Sequence, residues 1–264
     1  MNRRKFIAIS TLSLVGVGLS VCTTKTKLKN KQMKSVGLIG GTSWHSTIEY
    51  YRYINEGVNA ILGEKTNPPL VIYNLNQQEI HDLQEQNNWN KIAELYVQVA
   101  KKLINAGVDA LAFCANTPHK VYEKVSNQLS VPFIHIADGI GKEAQSKNYT
   151  KLGLIGTKFT MNENFIKSRL KNKYAIEVKV PNHEQIEKLH QIVIDELTHG
   201  KLYKESRAYT IHVLKELAGN EQLDGIILGC TELPLLINQQ DFYLPLFNST
   251  ELHAQEIVKY ILNE

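Results

Sequence analysis

The sequence predicts an α/β protein built from two similar halves, each a mainly parallel sheet in a three-layer αβα sandwich. Three observations carry that prediction. Short apolar runs alternate with segments of helical periodicity, which is the grammar of βαβ units. The runs themselves, such as Val36-Gly37-Leu38-Ile39-Gly40 and Gly225-Ile226-Ile227-Leu228-Gly229, are continuously apolar. That suits strands covered on both faces. The pattern also repeats. Val36–Gly40 matches Leu152-Gly153-Leu154-Ile155-Gly156 at an offset of 116 positions, and the pairs Cys114/Cys230 and Pro118/Pro234 stand at the same offset. A constant offset is the mark of an internal duplication.

Taken in order, Ser35–Gly40 reads as the first strand. Gly40-Gly41-Thr42-Ser43 is a turn in which Thr42 or Ser43 caps a helix, with Ile48, Tyr51, Ile54, Val58 and Ile61 at helical spacing and Gly63 as its stop. Pro69–Leu75 is a second strand, and residues 76–88 form a polar loop with a short helix. Asn90–Ala106 is a helix ended by Gly107. The short apolar run after Gly107 is a third strand that ends at Cys114, within Cys114-Ala115-Asn116-Thr117-Pro118. Asn116 or Thr117 caps the helix expected from Pro118 to Leu129, with Pro118 in its first turn. Val131–Ile136 is strand four.

The second half repeats the alternation. Lys151–Gly156 is a strand, Thr160 caps a helix to Lys171, and Ala175–Val180 is a strand ended by Pro181. Residues 183–199 and 203–218 are helical by pattern. Asp224–Gly229 leads to Cys230-Thr231-Glu232-Leu233-Pro234. Tyr243–Phe247 is a last strand and Glu251–Leu262 a closing helix. The domain reading that follows has a first half over 35–138, joined by the C-terminal 245–264 segment, and a second half over 139–244.

The chain has 264 residues, 43% hydrophobic and 21% charged, the profile of an ordinary globular protein. Its net charge of +4 comes from the N-terminus, where residues 1–34 hold eight Lys and Arg and no acid. The remainder has 22 basic against 26 acidic residues. A mildly acidic folded part excludes a nucleic-acid role argued from charge. Residues 1–21 read as a targeting segment. Arg3-Arg4-Lys5-Phe6-Ile7 resembles a twin-arginine export signal, followed by an uncharged run to Val21 that is short for a membrane span. Cys22 then stands as a lipidation site, with an uncleaved membrane tether as the alternative. Residues 22–34 are a Lys-rich tether. The expected location is the periplasm or cell envelope.

Cys114 and Cys230 are the cysteines of the globular part. Each sits where a buried strand ends and a helix begins, the edge at which open α/β sheets collect ligands. The positive end of a helix there favours thiolate. In an oxidising compartment the alternative is a disulfide between them. The nine histidines have no metal-ligand spacing, so no metal is expected. His81, His183 and His190 are candidate polar contacts, each read first as a surface or capping residue. Trp44 and Trp89 read as packing anchors.

The motifs Gly-Leu-Ile-Gly-Gly-Thr-Ser-Trp at 37–44, Cys-Ala-Asn-Thr at 114–117 and Gly-Cys-Thr-Glu at 229–232 resemble the aspartate/glutamate racemase superfamily. Ser43-Trp44-His45-Ser46-Thr47 and Ser206-Arg207-Ala208-Tyr209 are more similar to its broad-specificity amino-acid branch. The resemblance covers roughly residues 34–262. It implies a pseudo-twofold arrangement with the site in the cleft between halves, and a cofactor-independent racemisation at Cα. Cys114 and Cys230 then face each other, one removing the proton and one returning it. It implies substrate contacts from Gly41, Thr42, Ser43, Asn116, Thr117, Thr231 and Glu232, and a homodimer. After strand two the chain reads Asn74-Leu75-Asn76-Gln77-Gln78-Glu79-Ile80-His81, without the Arg that strict aspartate enzymes carry. Lys188 stands near the position of their second-half Lys. Selection for a second carboxylate is therefore weakened. Two alternatives stand beside this reading: a single-cysteine isomerase of the maleate isomerase type, and a periplasmic amino-acid binding protein.

Overall fold

The computed structural model describes residues 32–63 and 65–264. The targeting segment, Cys22 and most of the tether lie outside the described residues. The last tether residues dock onto the folded body: Lys34 N–H donates to Ile261 O at 2.9 Å, and Met33 packs on the core. Among the described residues no helix is long and apolar enough to cross a membrane.

The first half runs β1 (Val36–Gly40), α1 (Trp44–Leu62), β2 (Leu70–Asn74), α2 (Gln77–Glu85), α3 (Trp89–Asn105), β3 (Ala110–Phe113), a 3-10 turn at Thr117–Val121, α4 (Tyr122–Ser126) and β4 (Phe133–Ile134). Helix α5 (Ile136–Ser146) follows. The second half is β5 (Lys151–Gly156), α6 (Lys158–Asn162), α7 (Phe165–Tyr174), β6 (Glu177–Lys179), α8 (His183–Gln191), α9 (Lys204–Glu221), β7 (Gly225–Gly229), α10 (Leu233–Leu236), β8 (Leu246–Asn248) and α11 (Ser249–Leu262). Both sheets are four-stranded and parallel, with strand orders β2-β1-β3-β4 and β6-β5-β7-β8. The same order in both halves gives the duplication its three-dimensional form.

Several elements differ from the sequence reading for local reasons. The helix expected from Pro118 to Leu129 is a 3-10 turn followed by five residues of α4. The Asn116 side chain, bonded elsewhere, caps neither. Thr157 rather than Thr160 caps the helix after β5, accepting from Thr160 N–H, and that helix breaks at Asn164 into α6 and α7. Helix α5, absent from the sequence reading, buries Ile136, Ala137, Ile140 and Ala144, and two glycines let its neighbours approach closely. A Cβ on Gly139 would lie 2.5 Å from Leu252 O, and one on Gly141 would lie 2.3 Å from the Tyr174 ring. The C-terminal segment divides: β8 pairs with β7 in the second sheet, while α11 packs on α5 and on α1 of the first half.

The offset of 116 holds for β1 and β5 but not for β3 and β7. Ile39 pairs with Phe113 and Ile155 with Leu228, so the third strands are related by 115 positions. Their flanking contacts repeat with that offset. Asp109 N–H donates to Ser35 O and Asp224 N–H to Lys151 O, at 2.9 and 2.8 Å. The carboxylates return the favour, Asp109 Oδ2 accepting from Ser35 N–H and Asp224 Oδ2 from Lys151 N–H. Side chains alternate faces along a strand, so a slip of one residue reverses which face each presents. Val36, Leu38, Ala110, Ala112 and Cys114 form one core beneath α1 and α11. In the second half Leu152 and Leu154 share their core with Ile227, whereas Ile226 and Leu228 pack with Ile155 on the other face. The two cysteines are therefore not equivalent: Ala115 is the counterpart of Cys230, and Cys114 is the counterpart of Gly229.

Candidate active site

The carboxyl ends of both sheets open onto one cleft of about 660 Å³. Its walls come from the loops after β1, β3, β5 and β7. Helix α2 closes one side, and the segment running from the end of α8 to His199 closes the other. This is the edge where parallel sheets present loop residues and helix starts to a ligand.

The loop after β1 is built by glycine. Gly41 has φ 91°, and a Cβ on it would lie 2.2 Å from Leu75 O, so no other residue fits. Its N–H donates to Thr47 Oγ1, and it lies beneath the wall, not on it. Thr42 and Ser43 do line the cleft. Thr42 Oγ1 hydrogen bonds Tyr96 Oη at 3.1 Å, and Ser43 caps α1 by accepting from Ser46 N–H. Trp44, expected as a packing anchor, is 50% exposed at the mouth of the cleft and stacks on His45. Trp89 is the anchor: it is buried, and its Nε1–H donates to Asn87 Oδ1.

Cys114 is 2% exposed and belongs to the core with Leu38 and Tyr50. Its N–H donates to Ile39 O and its carbonyl accepts from Ser46 Oγ, so the backbone here is fixed from both sides. Burial pushes its thiol far above the ordinary range and outweighs any help from the short turn that follows. Burial thus works against the thiolate expected at this position. The next three residues, Ala115, Asn116 and Thr117, are the ones on the cleft wall.

Asn116 bridges the halves. Its Nδ2 donates to Ser249 Oγ at 3.2 Å, and Ser249 donates onward to Leu228 O at 2.8 Å, two residues before Cys230. A carbonyl can only accept, so the single Ser249 proton goes to Leu228, and Asn116 must present its amide N–H to Ser249. That fixes the flip of the amide and leaves Asn116 Oδ1 as a buried acceptor with no protein partner. His119 holds the same turn from behind: Nδ1–H faces Ala115 O and Asn116 O, and Nε2 accepts from Ile136 N–H.

Cys230 is half-buried and lines the cleft. Its thiol donates to Glu232 Oε2 at 2.9 Å, and Thr231 Oγ1 donates to the same oxygen at 2.7 Å. Burial pushes the thiol well above its ordinary value, and the Glu232 carboxylate adds to that. The backbone N–H groups of Thr231 and Glu232 work in the opposite direction. Glu232 thus faces the thiol, and its Oε2 is already shared by two donors. Both cysteines are free thiols, which sets aside a disulfide between them in this structure.

The outer cleft contains residues the sequence did not single out. Lys158, at the start of α6, lines it and pairs with Glu187 Oε1 at 2.7 Å, whereas Lys188 does not reach the wall. His81 and His190 line it together with His45 and His199, but His183 does not. Val193 and Ile194 reach it from a π-helical turn at Ile192–Glu196. Such turns often mark functional positions, but nothing in the sequence announces one. Among the described residues no three His, Cys, Asp or Glu side chains are placed to share a metal ion.

A family model described as Asp/Glu/hydantoin racemase matches residues 39–257. The chain is 26% identical over 179 residues to a glutamate racemase of Hydrogenobaculum, covering 66% of each protein. It is 24% identical over 190 residues to the broad specificity amino-acid racemase RacX of Bacillus subtilis, covering 66% of this chain and 74% of that one. The matches thus span about two thirds of these relatives' lengths. Among solved structures, a putative Asp/Glu racemase from Yersinia pestis is 38% identical with a TM-score of 0.83, covering 87% of this chain and all of that one. PH1733, an aspartate racemase homologue from Pyrococcus horikoshii, is 35% identical with a TM-score of 0.78, covering 88% of this chain and all of that one.

Proposed function

The chain belongs to the Asp/Glu/hydantoin racemase family, and from that premise we propose that it is a cofactor-independent amino-acid racemase acting by proton removal and return at Cα. The observation that carries this reading is the Cys230 Sγ–Glu232 Oε2 contact on the cleft wall. It pairs a nucleophilic thiol with a base able to take its proton, at the edge where a substrate would lie. The unpaired Asn116 Oδ1 supports it from the other half, since a substrate ammonium is the donor that acceptor lacks. Backbone N–H groups at Thr231 and Glu232 favour the thiolate and the carboxylate charge that builds as the proton leaves.

The two-thiol form of this chemistry, expected from the paired motifs, needs Cys114 to reach the substrate; its burial speaks against that form. The substrate side chain would face Gln77, His81 and Gln84 on one side and Lys158, His190 and Thr198 on the other. This polar wall without an arginine favours broad selection over strict aspartate selection. The test is a panel of single D- and L-amino acids in D2O followed by proton NMR. Exchange of the α-proton and loss of optical activity support the reading; no exchange with any amino acid contradicts it.

The export signal at 1–21 and the tether at 22–34 rest on charge and hydropathy pattern, and cell fractionation with N-terminal mapping of the mature chain tests them. A homodimer is the proposed assembly. The exposed stripe of Trp44, Ile48 and Tyr51 on α1 supplies an apolar surface for it, and the mass in solution decides.

A further inference from the structure

We infer that Ala115, and not Cys114, faces the substrate opposite Cys230, so that a single thiol serves the reacting carbon; the inference rests on the racemase reading above. Three independent observations meet here. The ladder registers relate β3 and β7 by 115 positions, which sets Ala115 against Cys230. Exposure agrees: Ala115 and Cys230 are both partly exposed on the cleft wall, while Cys114 and Gly229 are both buried at the strand ends. Packing agrees too, since Cys114 is enclosed by the core of Leu38, Tyr50 and Ala112, on the face of its sheet opposite to the one Cys230 occupies in the second.

A methyl group neither takes nor gives a proton. On the Cys230 side the Cα–H bond breaks, an S–H bond forms, and the electron pair stays on Cα, delocalised into the substrate carboxylate. The thiol proton trades with solvent through Glu232, which accepts from Cys230. Return of that hydron to the same face regenerates the starting enantiomer carrying solvent hydrogen. Inversion needs a proton from the Ala115 face. There the donor is a water molecule, whose O–H bond breaks to give Cα–H and hydroxide. The hydroxide then takes the proton held by Cys230, restoring water and thiolate. Water is a far weaker acid than a thiol. Exchange with retention therefore outruns inversion in this protein.

The experiment follows deuterium uptake and enantiomer ratio together, on one L-amino acid that the wild type exchanges in D2O. The remaining L-substrate is expected to be deuterated at least tenfold faster than the D-product forms. Ala115→Cys should close most of that gap by raising inversion. A wild type whose unreacted substrate stays protiated while its product is deuterated overturns the inference, as does an Ala115→Cys variant with an unchanged ratio. Alkylation of the native full chain with iodoacetamide, followed by peptide mapping, reads the geometry without catalysis. Cys230 should label natively and Cys114 only on unfolding, and Ala115→Cys should add a natively labelled site on the peptide carrying position 115. Native labelling of Cys114 as fast as Cys230 overturns the inference. Labelling as expected, without exchange of any amino acid, upholds the geometry and removes only the racemase reading.

Discussion

Ser249 joins the two halves of the cleft at the level of the chemistry: its hydroxyl accepts from Asn116 on one wall and donates to the Leu228 carbonyl beneath the other. The bridge is buried and orients the Asn116 amide so that its Oδ1 stays an acceptor with no protein partner. Ser249→Ala leaves a donor and an acceptor unpaired and should cost about 1–3 kcal/mol of stability. It should also raise KM more than it lowers kcat, because the amide is freed to turn. Ser249→Thr should restore KM. Calorimetric unfolding and steady-state kinetics on the three proteins check this.

Glu232 shapes the titration of Cys230. Its carboxylate raises the thiol pKa, so Glu232→Gln should lower it and move the alkaline rise in thiol alkylation rate to lower pH. Turnover should fall nonetheless, by about 10²-fold or more, since the group that accepts the thiol proton is gone. A pH series of alkylation and exchange rates on wild type and variant separates the two effects.

Three buried histidines make the fold acid-sensitive. His253 accepts from Tyr50 Oη and donates to Ile134 O, and burial holds it down at about 4. His119 and His135 are likewise held low by burial, aided by neighbouring positive charge. Below the unfolded histidine value of about 6.5 the unfolded chain binds protons the folded one refuses. Stability should therefore decline as pH falls from about 6.5 toward 4, with His253 alone accounting for on the order of 3 kcal/mol. Urea midpoints at pH 7, 5.5 and 4.5 check the slope. His253→Gln, which keeps one hydrogen-bonding arm and does not titrate, should flatten it.

Gly41 carries the loop that presents Thr42 and Ser43. Its positive φ and the Leu75 backbone 2.2 Å from any Cβ predict that Gly41→Ala destabilises by more than about 1 kcal/mol and weakens substrate binding. Thermal unfolding and KM report the two parts separately.

The fold was legible because its signals are local. Each buried strand is a continuous apolar run, and Ser43 caps α1 as its position before Trp44 suggests. The site was half legible. Thr42, Ser43, Asn116, Thr117, Cys230, Thr231 and Glu232 all reach the cleft, because strand ends and helix starts are visible in sequence. Cys114 lies in the core and not on the cleft wall because a motif offset counts residues and not ladder register: β1 and β3 are separated by one residue more than β5 and β7. One residue in a strand exchanges core for cleft. Lys158 and His199 carried no signal, since their placement depends on how the two halves close around the cleft.

In the proposed reaction, proton chemistry at Cα runs through Cys230 and not through Cys114, and α-proton exchange by paired cysteine variants separates the two thiols. Cys230→Ala should lower the exchange rate by about 10²–10⁴-fold. Cys114→Ala should cost stability, as removal of a buried side chain does, and keep exchange within about threefold of wild type. Equal losses in the two variants, or a larger loss in Cys114→Ala, would rule out Cys230 as the sole thiol at Cα.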